Sequence, residues 1–470
     1  MKSDVIFDSK KLTKSIVVMS VPIIISNFLM VINGLIDMYL LRIQNIDQEL
    51  IRSLTSALTM TTPILSIFQA VLVAFCAVEL TLISQSIGEK EKEKTKELIG
   101  KLFTLSVFIG ILLIILLIIS CNPLLKLMKT NDNPLVYKYG KKYITIISFD
   151  MISFLVTRLY HASRYAIGDA TSPMILSVIH SVINIIITKI LINKYLIVGI
   201  ALGTTISGVL MIPIYLCLLT KTKNEDVRLE KSKINFSMRD LSEIASLIIP
   251  SSISGIITAI AFILINRQIM AFDDYKVVSI GSSNRIYNFI IIPFISFQTI
   301  TTTFVSQNMG AKNYNQVQKS ISRIIRIVMS LSIIELSISL LLKDSLVNFF
   351  IKTDHEVLNF SRYYIKYLLW TIPVMAYFYV LIGILHGLKK MKATLILSVI
   401  RLWILRLPLL ALFINYYNMN IKGLIISMFV SNIGTVSVGT IYLLFYYLKT
   451  SNTHTKNIII YEEKNNGRNY

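Results

Sequence analysis

Long apolar runs decide what this chain can become. Stretches of about 20 residues with hardly a charge recur from one end of the sequence to the other, and each is long enough as a helix to cross a hydrocarbon core ~30 Å thick. They predict about twelve spans. These are 15–41, 55–83, 102–120, 143–164, 173–193 and 196–219, then 243–265, 277–305, 322–342, 363–385, 393–416 and 421–448. None shows the alternation of a barrel strand, so helices must satisfy the backbone in lipid. A mean hydropathy of +0.66, with only 16% charged residues, excludes a soluble chain of 470 residues. The first run is too long for a signal-peptide core and no small-x-small cleavage site follows it, so it reads as an anchor that stays.

The net charge of +21 could point to nucleic acid, but its placement points elsewhere. Termini and even-numbered breaks hold roughly 28 basic residues and odd-numbered breaks roughly 15, which places both termini in the cytoplasm. The break from Cys121 to Lys142, with Lys126, Lys129, Lys138, Lys141 and Lys142, opposes that bias and is taken as an exception. Cys76, Cys121 and Cys217 are isolated and imply neither a disulfide framework nor a metal site.

The chain says nearly the same thing twice. ISQSIGEKEKEKTKE at 83–97 returns as VSQNMGAKNYNQVQK at 305–319, ILSVI at 175–179 recurs letter for letter at 396–400, and KKYI at 141–144 faces RYYI at 362–365. Pro22 and Pro250 each fall early in the first span of a half. The expected organisation is an N-terminal lobe at 1–220, a cytoplasmic linker at 221–242, a C-terminal lobe at 243–448 and a polar, frayed tail at 449–470. An even number of spans per unit makes the repeats parallel, related by an axis along the membrane normal, with a cleft between the lobes. The fold class is therefore an all-α polytopic membrane protein, about twelve transmembrane helices in two six-helix lobes around a central cavity. In the Lys-Glu run after Gly88, Glu89 with Lys92, Glu91 with Lys94 and Glu93 with Lys96 read as i to i+3 pairs on a solvated helix, lipid headgroup binding being the alternative.

Much chemistry is missing. There is no GxxxxGK[ST] loop and no soluble segment large enough for a nucleotide-binding domain, so uphill transport has to use an ion gradient. HExxH, CxxC and GxSxG are absent, and His161, His180, His355, His386 and His454 lack ligand spacing. An intramembrane enzyme built from residues distant in sequence stays open as a minor reading.

Ionisable groups inside spans cost at least ~2.5 kcal/mol on insertion scales, which makes them the informative positions. They are Asp37, Glu79, Asp150, His180 and Lys189 in the first half, and Arg285, Glu335, Arg401 and Arg406 in the second. Asp37, in NGLIDMYLLR, lies about one turn from the outer end of its helix; it is either a snorkelling acid that meets Arg42 or the headgroups, or part of a cation site. Glu79 is either functional, or paired or snorkelling, and Lys189 can neutralise an acid such as Asp37 or Asp150 in a buried pair. Asn27, Asn33, Asn184, Thr188 and Ser207 either line a polar cavity or hydrogen-bond neighbouring helices.

The pattern SVPIIISNFLMVINGLIDMYLLR, LISQSIGEKE, ASRYAIGDATSPM, NIIITKILI and GIALGTTISGV resembles the N-terminal lobe of the multidrug and toxic compound extrusion (MATE) transporters. INRQIMAF at 265–272, VSQNMGAKN at 305–313 and RLWILRLPL at 401–409 resemble the C-terminal lobe. The resemblance implies a twelve-helix, two-lobe bundle that exports amphipathic, often cationic compounds in exchange for protons or sodium. In many members an acid on the first helix forms a cation site, and Asp37 stands at the matching position. The fifth helix usually supplies an Asn and, one turn on, an Asp followed by Pro; here Asn184 is kept, but Thr188 and Lys189 occupy the last two places. That departure weighs against high-affinity sodium binding and for Asp37 acting alone by protonation. Ser207 falls where the family has a hydroxyl on the sixth helix, and Glu79 replaces a residue that is small in most relatives. Some members carry an acid on the seventh helix, which this chain lacks between Ala245 and Ile265.

The expectation is a secondary antiporter of the plasma membrane, not an enzyme, exporting small organic or cationic compounds against H+ or Na+. Its cation-coupling residues are Asp37, Asn184, Thr188 and Ser207, with Glu79, Asp150, Lys189, Arg285 and Arg401 as cavity or charge partners. It needs no cofactor beyond the coupling ion and is a monomer whose partners are a small-molecule substrate and membrane lipids, with no nucleic acid. The alternative is a flippase or exporter for a lipid-linked or peptide cargo in the same superfamily, with arginines for cargo phosphates. Arg285, Arg401 and Arg406 keep it open, although the last two match a stretch found in ordinary multidrug members.

Overall fold

A computed structural model of the protein describes residues 12–44, 47–127, 133–222, 224–233, 238–351 and 354–466. Lys129, parts of the 221–242 stretch and the end of the tail lie outside the described residues. Every regular element among the described residues is helical. Among the described residues ten helices are long and apolar enough to cross a membrane, or up to twelve when two bent pairs are each counted as one span. The helices fall into two compact units, residues 1–396 and 397–470.

In the first unit α1 spans Leu12–Arg42, α2 Gln48–Glu89, α3 Lys92–Leu127, α4 Pro134–Ile147, α5 Asp150–Ala166, α6 Thr171–Tyr195 and α7 Ile197–Thr220. After two short 3-10 turns come α8 (Met238–Ile269), α9 (Asp274–Ile290), α10 (Ile292–Gly310), α11 (Tyr314–Leu341), α12 (Lys343–Phe350), α13 (His355–Trp370) and α14 (Ile372–Gly387). α15 (Met391–Val399) crosses the boundary between the units. The second unit holds a π-helical stretch at Ile400–Arg406, α16 (Leu407–Ala411), a second π-helical stretch at Leu412–Tyr416 and α17 (Asn420–Asn466). Pro408, which can neither donate to the turn before it nor avoid crowding it, sits between the two π stretches. α17 does not stop near residue 448; its backbone stays helical through most of the tail expected to fray.

Three apolar runs that read as single helices are interrupted. α9 and α10 meet at 43° and α13 and α14 at 45°. In each case a proline, Pro293 or Pro373, sits in the first turn of the second helix and removes a backbone donor while its ring crowds the turn before it. The break between α4 and α5 has another cause. Thr205 of α7 donates its hydroxyl to the Ile146 carbonyl at 3.1 Å, and that carbonyl takes its backbone bond from Phe149 N–H, three residues on, at 3.2 Å, so a side chain enters the ladder where the turn tightens.

The repeat is written in the backbone too. Lys90 and Lys312 both adopt the left-handed conformation that ends a helix, two residues beyond Gly88 and Gly310, with φ of 61° and 54°. Gly168 and Lys389, which precede the two ILSVI segments by the same spacing, have φ of 79° and 57°.

α2 is the central helix of the first unit. Its 42 residues reach about 63 Å, twice the hydrocarbon core, so its far end projects beyond the membrane. It packs against α3, α4, α5, α8 and α10. At that end the two Ser-Gln-x-x-Gly segments of α2 and α10 meet, each glycine lying against the other's glutamine backbone. Gln307 also donates its side-chain amide to the Ala166 carbonyl at the end of α5. Just beyond, charged side chains tie the polar segment at 224–233 to the start of α3: Lys96 bridges Glu93 (2.9 Å) and Glu230 (3.0 Å), and Lys92 reaches Asp226 (3.6 Å). Glu91–Lys94 and Glu93–Lys96 form as the spacing predicts, but Glu89 pairs with Lys94 rather than Lys92. The reversal of φ at Lys90 puts Glu89 on a different helix from Lys92, so their spacing no longer places them on one face.

Candidate functional site

One turn past Asp37 on α1, Leu40 and Leu41 enter an apolar cluster with Leu54, Ala57, Val136, Ile192 and Ile197, drawn from α2, α4, α6 and α7. A carboxylate beside that cluster has little water to turn to. Asp37 is half-buried, and its Oδ1 is shut off from solvent with no hydrogen-bond donor. Asn33, one turn earlier on the same helix face, donates Nδ2 to Ser181 Oγ of α6 at 3.0 Å and leaves its own Oδ1 without a donor.

α6 supplies the next part. Asn184 is buried and turns its amide nitrogen to α7, 3.3 Å from Ser207 Oγ and 3.4 Å from Thr204 Oγ1, so its Oδ1 also lacks a donor. His180 Nε2 lies 3.4 Å from the same Ser207 hydroxyl. Thr188, one turn beyond Asn184, is fully buried, and its hydroxyl has no partner. Gly203 of α7 faces it so closely that a Cβ there would overlap the Thr188 hydroxyl oxygen and stand 2.9 Å from its Cα.

Of the four expected cation-coupling residues, the structure joins Asn184 to Ser207 directly and sets Thr188 on the same α6–α7 seam. Asp37 comes from α1, which packs along α6. Four buried oxygens that can only accept, or that lack a donor, therefore come from two adjacent helices: Asp37 Oδ1, Asn33 Oδ1, Asn184 Oδ1 and the Thr188 hydroxyl. Buried oxygens without donors suit a cation, and at Asp37 the simplest one is a proton taken up by the carboxylate.

Asp150 opens α5, where Ser153 donates to its Oδ1 at 2.6 Å and Gly208 of α7 leaves room for it. Tyr143 of α4 lies within electrostatic reach of both Asp37 and Asp150. Lys189 does not form the buried pair expected of it. It is exposed on α6 and makes no ion pair among the described residues, because one residue past Thr188 turns the side chain about 100° away from the α7 seam.

Glu79 is fully buried on α2, and Ser106 Oγ of α3 lies 2.9 Å from its Oε1. Arg285 is exposed on α9, and Arg401 is buried in the first π stretch of the second unit. Arg406, also buried there, donates to Ser431 Oγ at 2.9 Å, Asn432 Oδ1 at 2.6 Å and the Met428 carbonyl at 3.4 Å, all on α17. Two residues of the first unit have no role assigned from sequence. Arg158, inside the 143–164 run, donates to Met30 Sδ of α1 at 3.4 Å and stands 5.0 Å over the Phe154 ring. His161 is buried among Tyr160, Tyr165 and Tyr215 with neither ring nitrogen hydrogen-bonded. The sequence does carry a signal for Arg158, since a guanidinium in mid-span is as costly as Asp37 or Glu79.

Known proteins share this architecture. The chain is 21% identical over 355 residues to a probable multidrug resistance protein, YoeA, of Bacillus subtilis, covering 73% of this chain and 75% of that one. It is 20% identical over 388 residues to an FAD transporter of Shewanella oneidensis, covering 80% of this chain and 84% of that one. A solved structure described as the outward-facing conformation of a multidrug resistance MATE family transporter of the MOP superfamily superposes with a TM-score of 0.85 at 19% identity, over 93% of this chain and 97% of that one. The MatE family model matches residues 22–190 and 250–412, most of both halves, and the chain belongs to the MATE family of multi-pass membrane transporters.

Proposed function

We propose that this protein is an ion-coupled antiporter of the plasma membrane, with both termini cytoplasmic, that exports small organic or cationic compounds in exchange for H+ or Na+. The observation that carries the reading is that Asp37 and Asn33 of α1, and Asn184 and Thr188 of the adjacent α6, each hold a buried side-chain oxygen with no donor. Sequence relatives named for multidrug resistance support the substrate class.

Asp37 takes up a proton or cation from outside. Its change of charge is felt first by Asn33, which ties α1 to α6 through Ser181, and then along the Asn184–Ser207 seam to α7. Rearrangement of these contacts releases the exported compound and resets the protein. With the termini in the cytoplasm, the α2–α10 glycine seam lies at the cytoplasmic end, so the conformation is read as closed on that side. The departure at Thr188 and Lys189 leaves a single carboxylate at this position, which favours protons over sodium. Arg406 spends its donors on α17, which favours organic cations over phosphate-bearing cargo.

The test is Asp37→Asn in proteoliposomes loaded with a fluorescent organic cation. The expected outcome is loss of transport driven by either a proton or a sodium gradient, with normal insertion and an unchanged melting profile. Full gradient-driven transport by that variant would falsify the assignment.

A further inference from the structure

Glu79 takes its hydrogen bond from α3, not from α1 or α6, and nothing in the proposed cycle uses it. Its neighbourhood is nonetheless built. Ser106 Oγ lies 2.9 Å from Oε1 and 2.8 Å from the Leu102 carbonyl, so its one hydrogen can serve a charged Oε1 or stay on Leu102 while a protonated Oε1 donates to it; Oε2 is buried with no partner, and Arg158 of α5 is within electrostatic reach but not bonded to the carboxyl. The guanidinium is instead engaged with a thioether sulfur, Met30 Sδ, and with the face of Phe154. An ionised carboxylate in hydrocarbon would draw a neighbouring guanidinium into direct bonding, since a buried charge without its partner is far more costly than a soft sulfur contact. An orphaned oxygen beside an arginine that bonds elsewhere is the arrangement of a neutral acid.

We propose that Glu79 is a second proton-binding site, and that its proton decides whether Arg158 holds α1 or α2. With the proton in place, Arg158 rests on Met30 of α1. When the proton leaves, the carboxylate and guanidinium pair across the α2–α5 contact, and Met30 is released. One O–H bond breaks, the electron pair stays on the carboxylate, and the proton passes to water or to a neighbouring acceptor.

The surroundings permit such a switch. On α2 itself Cys76 lies near Glu79, α3 presents the Ser106 hydroxyl, and α5 presents Arg158. His161 of α5 is within electrostatic reach of the same arginine and, separately, of His180 on α6. α10 carries no titratable side chain, α14 carries Tyr377, Tyr379 and His386, and the described charged side chains of α8, Glu243 and Arg267, lie towards its two ends. Lys138, Lys141 and Lys142 of α4 belong to the part of the helix beside Gly140, which packs on Thr61, far along α2 from Glu79. Arg158 is thus the permanent charge that faces the site.

The site extends the antiporter reading but is tested without substrate or gradient. Infrared spectra of the full chain in vesicles of neutral and anionic phospholipid are recorded from about pH 5 to about pH 9, a range that brackets a buried carboxyl. The expected result is a protonated-carboxyl stretch that fades as pH rises, is absent in Glu79→Gln and persists in Asp37→Asn. Ser106→Ala removes a donor to the charged form and moves the midpoint up by roughly one pH unit. Arg158→Gln, which removes the facing charge, moves it the same way. A band unaffected by Glu79→Gln, or one that is lost in that variant but is independent of pH and of Ser106 and Arg158 in the parent, overturns the proposal. Transport by Asp37→Asn bears only on the antiporter reading, so the two failures are separable.

Discussion

Gly88 of α2 lies against the backbone of Gln307 of α10 so closely that a Cβ on it would overlap the Gln307 carbonyl oxygen and stand 2.8 Å from its carbonyl carbon. Gly310 stands in the same relation to Gln85. The two copies of the repeated segment thus meet reciprocally, glycine to glutamine, and only hydrogen in place of a side chain allows the approach. Backbone cannot swing aside as a long side chain can, so Gly88→Ala must part the helices. The expected outcome is a seam that no longer closes. In a background without Cys76, Cys121 and Cys217, a cysteine at the buried Ser84 becomes open to a water-soluble maleimide from the cytoplasmic side in Gly88→Ala and stays protected with glycine. Steady-state export falls at least about tenfold, the equivalent of ~1.4 kcal/mol lost from the closed state. Equal labelling with and without the alanine would show that the seam is not the barrier.

The α6–α7 seam predicts a different response. Gly203 faces Thr188 so closely that alanine there meets both the hydroxyl oxygen and, at 2.9 Å, the Cα. Overpacking of this kind costs about 1–3 kcal/mol. Gly203→Ala should lower the melting temperature, and Gly203→Ala with Thr188→Ala should recover only part of the loss, because the contact with Cα remains. Complete recovery in the double variant would mean that the backbone was never close.

How much of this was readable from sequence depends on the residue. The spans were legible because each apolar run must bury a helix length in lipid, and the breaks at 291 and 371 could have been read from Pro293 and Pro373. The break at 149 could not, since it depends on Thr205 reaching Ile146 from another helix. The family resemblance places Asn184 and Ser207 separately in one coupling set, and only the structure shows that the Asn184 amide reaches the Ser207 hydroxyl at 3.3 Å. Lys189 was misread as a buried partner although helical geometry already turned it away from the face of Asn184 and Thr188. Glu79 drew attention by its cost, yet its neighbour Arg158 was passed over, and no periodicity in one helix reveals which residue of another will face it.

Lys389 offers a pH-dependent signature outside the membrane. It sits in the turn between α14 and α15, at a cavity of about 350 Å³ lined also by Glu89, Lys94, Glu97, Lys101 and Glu243. Burial pushes its ammonium below the ordinary lysine value of 10.5, with Glu89 and Glu243 pulling back the other way. Because the folded chain then holds this proton less tightly than the unfolded one, stability contributed here rises with pH across the interval just below 10.5. The stability of Lys389→Met relative to the parent should therefore be greatest near neutral pH and shrink as pH approaches that value, as thermal unfolding in detergent would show. A constant difference over the interval would mean that the ammonium is as well accommodated folded as unfolded.

Arg406 separates structure from cargo. Its guanidinium is buried and reaches three acceptors on α17, at Ser431, Asn432 and Met428, so its removal leaves polar groups unsatisfied rather than a binding surface empty. Hydrogen bonds from a charged donor contribute about 1.5–3 kcal/mol each, and a lysine cannot reproduce the planar fork. Arg406→Leu should lower the melting temperature by several degrees, and Arg406→Lys should recover little of it. Export per folded molecule, normalised to protein that survives gel filtration, should remain within about twofold of the parent, well under the tenfold change that ~1.4 kcal/mol of lost cargo binding would bring. If the arginine instead holds a cargo phosphate, the order reverses: stability changes little, transport falls steeply, and lysine restores part of it because a point charge still attracts a phosphate. The two outcomes are distinguished by one thermal melt and one uptake assay on the same preparation.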